Sequence, residues 1–144
     1  MVIRRGAALA LLLSLPMACG DRRKVEECSA LVTVINGGID KVIKITSATP
    51  DEGAAVTELR AVATEMDGVA KQAAGVELTL PELQQLSGDY QTMVNEVAVG
   101  SRELADAVDN VDSEKMKQAR EKIAKAVARE DALVEQVNRF CQTP

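Results

Sequence analysis

The chain reads as an all-α protein, an antiparallel up-down-up-down four-helix bundle closed by one disulfide. Three observations lead there. Apolar residues recur in alternating three- and four-residue steps through four stretches of matched length, the seam of helices packed at about 20°. Helix-start chemistry separates those stretches. Two cysteines, Cys28 and Cys141, stand where the first and last helices of such a bundle meet. Strand alternation persists nowhere.

The first helix is expected at about residues 22–47, with Val25, Cys28, Val32, Ile35, Ile39 and Val42 along its seam. Thr49-Pro50-Asp51-Glu52 then forms a capping box with proline at the first helical position. The second helix is placed at about 50–75, and its seam runs from Ala55 through Leu59, Val62, Met66, Val69 and Ala73 to Val76. Thr79-Leu80-Pro81-Glu82 is a second box, with Leu78 and Leu83 spaced as its hydrophobic staple. The third helix, about 80–109, carries a seam that starts at Leu83 and continues past its end to Val111. Asp109-Asn110 to Asp112-Ser113 is a third break, with Asp112 as N-cap. One uninterrupted helix at about 113–141 closes the chain. Its seam includes Arg120, Val127 and Glu130, widened by Ala119, Ala126, Leu133 and Phe140. Short connections force sequential helices to be antiparallel neighbours. The start of the first helix then lies beside the end of the fourth, where Cys28 and Cys141 sit. The alternatives are two free buried thiols, and a long two-helix coiled coil that dimerises.

The N-terminus has a separate logic. Met1 to Arg5 is a charged segment, Gly6 to Leu15 is apolar with Ser14 its only polar side chain, and Ala18 precedes Cys19. That is the layout of a secretory signal, too short for a stable membrane span. Leu15-Pro16-Met17-Ala18-Cys19-Gly20 resembles the lipobox of bacterial lipoproteins, with Leu15 one place earlier than usual and Pro16 in its position. The resemblance implies cleavage before Cys19 and diacylglycerol on its thiol, so that residues 1–18 are a lipoprotein-type signal and 19–144 the bundle domain. It also implies sorting to the outer membrane, because Gly20 rather than Asp follows the cysteine. Ordinary cleavage after Ala18, leaving a free thiol, is the alternative. With Cys19 used as an anchor, an oxidising envelope compartment favours pairing of the remaining two cysteines.

Composition removes whole classes of chemistry. Histidine and tryptophan are absent, and Tyr90 and Phe140 are the only aromatic residues. No Ser-His or Cys-His couple, no His-ligated zinc and no Glu-x-x-His di-iron site can therefore be built. No cofactor is expected. Net charge is −5, and Thr49 to Glu114 holds fourteen acids against three bases, which argues against nucleic acid. Lys115 to Cys141 reverses the balance, with seven bases against four acids, and is expected to lie against the acidic helices. Asp106, Asp109 and Asp112, flanked by Glu103 and Glu114, form a weak acidic cluster. It lacks the Asp-x-Asp-x-Asp-Gly loop of a calcium site, so a solvated face is the expected reading and no metal is assigned.

Two features remain. Asn36-Gly37-Gly38 interrupts the first helix, either to let helices approach closely or to break it and open a ligand notch. Glu130 falls on the seam of the fourth helix, either at the bundle's edge, paired with a base, or as a buried acid with a raised pKa. The expected function is a lipid-anchored, non-enzymatic structural or interaction module of the bacterial envelope. It would be held to the membrane by its lipid and would present the acidic faces of the second and third helices to a protein partner. A periplasmic bundle that binds or senses a small ligand or metal, with Asn36, Gly37, Gly38 and Glu130 at its notch, is the alternative. An enzyme working with carboxylates alone would need two acids converging in a cleft. Oligomeric state is left open.

Overall fold

Alanine- and valine-rich faces of the helices come together in the computed structural model, which describes residues 18–46 and 54–143 of the 144. Among these residues there is no strand. The helices are α1 (Ala18–Thr46), α2 (Ala54–Ala74), α3 (Pro81–Asp109), α4 (Ser113–Val127) and α5 (Glu130–Gln142). They form an antiparallel up-down-up-down bundle whose fourth rod is split into α4 and α5. Residues 1–17 of the expected signal and the expected capping box at Thr49–Glu52 lie outside the described residues.

Ion pairs give the register directly. Arg60, early in α2, reaches Asp106 and Asp109 late in α3 at 3.3 and 2.6 Å, and Arg102 of α3 meets Asp67 of α2. Lys122 of α4 pairs with Glu103 at 2.8 Å, and Arg129 with Glu96. The basic last segment therefore lies on the acidic third helix. Cys28 and Cys141 are joined, with their Cα atoms 5.8 Å apart. The same end is stitched by Lys24, whose Nζ donates to the Thr143 carbonyl at 2.7 Å and lies 4.4 Å from the centre of the Phe140 ring.

The core runs from Cys28, Leu31 and Ile35 of α1 through Ala63, Met66 and Val69 of α2 to the face of α3 that carries Leu83, Tyr90, Met93 and Val94. Small residues set the helix spacing. A Cβ added to Gly38 would sit 2.7 Å from Val69 Cγ2, and one on Gly100 would sit 2.7 Å from Ile123 Cγ1. These two glycines hold α1 against α2 and α3 against α4. The first helix passes through Asn36-Gly37-Gly38 unbroken.

Four details differ from expectation. The Thr79–Glu82 box does not form: Leu80 rather than Thr79 is the N-cap of α3 and its own side chain makes no cap bond, while the Thr79 hydroxyl donates to Glu27. Val25 and Val111, both placed on seams, are 65% and 83% exposed. Val25 lies near the start of α1, one turn before Cys28. Val111 lies past the end of α3, where the helical period no longer applies. The fourth helix is not continuous. Arg129 N–H donates to the Ala126 carbonyl at 3.1 Å, a tight three-residue step at the point where the α pattern ends, and Ala128 and Arg129 form the turn. The buried face of α4 is then carried by Ala119 and Ala126, while Arg120 is exposed.

Candidate functional site

The split in the fourth rod leaves an opening. Among the described residues α4 packs on α3, and α1 reaches the fourth rod only through α5. Between them lies a cavity of about 240 Å³. Val62 and Met66 of α2 and Tyr90, Met93, Val94 and Val97 of α3 form its apolar wall, and Ile39 enters from α1. Val127, the last residue of α4, stands at the mouth with 45% of its surface exposed. Glu130 opens α5 on the same cavity.

Glu130 is half-buried, and among the described residues it has no hydrogen-bonding or ion-pairing partner. Burial, with the neighbouring charge of Asp131, raises its pKa above the ordinary carboxylate value. Tyr90 is pushed up to about 12, first by burial and then by the charge of Glu130. An apolar wall therefore ends in a carboxyl and a phenol.

The expected notch is not at the glycines. Asn36 is exposed, Gly37 has open space beside its Cα, and Gly38 is packed on Val69. Of the four residues placed there by sequence, Glu130 lines this cavity and Asn36, Gly37 and Gly38 do not. The periodicity put it on the seam, but nothing near Ala128-Arg129 announced the turn that leaves it beside open space.

The acids of the third break have other work. The Arg60 guanidinium takes Asp106 and Asp109, and its own pKa is raised by those two contacts. Asp112 caps α4, accepting from the Lys115 N–H at 3.0 Å, which lowers its pKa. The three carboxylates do not converge, and among the described residues no group of three metal-capable side chains exists.

One buried polar residue escaped the sequence reading. Glu27 is 7% exposed and accepts from the Thr79 hydroxyl at 2.6 Å, the Thr79 N–H at 2.9 Å and the Leu80 N–H at 3.1 Å. It satisfies the backbone donors that enter α3, the task a local cap usually performs. Those bonds, the hydroxyl foremost, hold its carboxyl below the ordinary value of 4.5. The available signal was its place four residues before Leu31, on the row that continues to Ile35.

Set against family models, curated proteins and solved structures, the chain matches none. Among the described residues no helix is long and apolar enough to cross a membrane.

Proposed function

We propose that the protein is an exported, lipid-anchored bundle that works without catalysis as an interaction module of the bacterial envelope. The observation that carries this reading is the Cys28–Cys141 disulfide. Such a bond persists in oxidising compartments outside the cytoplasm, which is where the signal ending at Cys19 would deliver the chain. The disulfide stands nine residues after Cys19, so the tied end of the bundle is the anchored one.

The opposite end carries the α3–α4 turn with Val111 at its tip. At 1.5 Å per residue, a helix of 29 residues such as α3 separates the two ends by about 43 Å. A partner would meet that far end or the helix faces, rather than acidic faces as a whole, because Arg60, Arg102, Lys122 and Arg129 already occupy many of their carboxylates. Absence of histidine from the whole chain supports the non-catalytic role.

Mass spectrometry of the protein from its native membrane tests the anchor. An acylated N-terminal Cys19 is expected, and Cys19→Ala should move the protein to the soluble fraction. An unmodified cysteine at the mature N-terminus would sink this reading. A photocrosslinking residue at Val111 in intact cells should capture one envelope protein of defined mass, whereas the same residue at Arg22 should not.

A further inference from the structure

We infer that the cavity between α3 and the α4–α5 turn is a binding site for a small organic ammonium ion with an apolar body. The inference stands apart from where the protein is anchored. Its shape argument is the wall of Val62, Met66, Met93 and Val97, which gives a short alkyl or ring group apolar contact within about 240 Å³. Pockets of this make-up, apolar with a few convergent polar groups, are the usual form of small-molecule sites.

Charge selects the head group. Among the described residues Glu130 is the one acid lining the cavity, with Asp131 beside it in sequence. The bases flanking it in sequence are engaged, Arg129 with Glu96 and Arg139 with Glu135 at 2.7 Å, and Lys41, two residues from the lining Ile39, pairs with Glu65 at 3.1 Å. A half-buried carboxyl is therefore left without a counter-ion among the described residues. An incoming ammonium group would supply one, joining charge pairing to the hydrogen bond; a neutral donor can make only the hydrogen bond, and an anion neither. Tyr90, which lines the same cavity, adds an aromatic ring and a hydroxyl favourable to a cation. Lining by Met66 and Met93, whose unbranched side chains adapt to irregular ligands, suits varied apolar bodies.

The test is titration of the purified, oxidised protein with hexylammonium, hexanol and hexanoate, followed by methyl NMR. Hexylammonium should shift the Met66, Met93 and Val127 methyl signals saturably, and hexanoate should bind at least about tenfold more weakly. Glu130→Gln should weaken hexylammonium by roughly ten- to a hundredfold while leaving hexanol within about twofold. Val127→Trp, at the exposed mouth, should block all three without disturbing the core. The inference is overturned by hexylammonium that leaves those methyl signals unmoved, by hexanoate that binds equally well, or by Glu130→Gln that changes nothing.

Discussion

Val111 occupies a left-handed backbone conformation with φ of 52°, in a helix C-terminus where glycine is the usual occupant. Asp112 N–H donates to the Ala107 carbonyl at 2.9 Å and Val111 N–H to the Val108 carbonyl at 3.1 Å, the paired bonds of a Schellman motif. A β-branched side chain there is strained and, at 83% exposure, recovers little by packing. Val111→Gly should therefore raise stability by about 1 kcal/mol, read as a higher urea midpoint with unchanged slope.

Glu27 and Glu130 respond to pH in opposite senses. The fold lowers the pKa of Glu27, so its contribution is present above 4.5 and is lost as pH falls through the lowered folded value. The fold raises the pKa of Glu130, so its contribution is present below 4.5 and is lost as pH rises through the raised value. Glu27→Gln should destabilise the protein at neutral pH, with the deficit shrinking in acid. Glu130→Gln should do the reverse, stabilising at neutral pH. Thermal melts of both variants across the acid range check the two signs, and a common sign would contradict the geometry at one of them.

At the level of the helices, the adjacent glycines of α1 separate propensity from packing. Gly37 has nothing within 4 Å of an added Cβ, so Gly37→Ala should stabilise by up to about 1 kcal/mol through helix propensity alone. Gly38→Ala drives a methyl into Val69 and should instead cost about 1–3 kcal/mol. Chemical denaturation of the two variants decides it. Equal effects would mean that α1 and α2 are not held at the spacing Gly38 allows. The boundaries of α3 and α4 follow local chemistry that can be read directly, Pro81 at the start of one and Asp112 before the other. The start of α3 shows the limit of such reading. Thr79 has the residue type and spacing of a local cap, yet its hydroxyl serves Glu27, 52 residues away.

For the whole molecule, the Cys28–Cys141 bond closes a loop of 113 residues. In the chain-entropy model such a closure stabilises by about 4–5 kcal/mol. Cys28→Ser with Cys141→Ser should lose most of that, measured as a lower urea midpoint against the oxidised protein. Reduction of the natural chain should match the double variant. Lys24, bound to Thr143 and over the Phe140 ring, joins the same two helices, α1 and the end of α5, through contacts that do not involve the sulfurs. With the core from Leu31 to Val94 also independent of the sulfurs, the reduced protein should retain its helical content.

Periodicity, turn residues and the placement of two cysteines were enough to set the number of rods, their direction and the disulfide, because each follows from local backbone chemistry plus short connections. They also put Glu130 on a seam and Asp112 at a cap. The turn at Ala128-Arg129, the cavity it leaves and the bond from Glu27 to Thr79 needed the assembled bundle. No glycine or proline marks that turn, and a buried carboxylate's partner is chosen by which rods lie side by side. Local patterns report what a segment prefers; where one rod shifts against its neighbours is settled by packing across the whole chain.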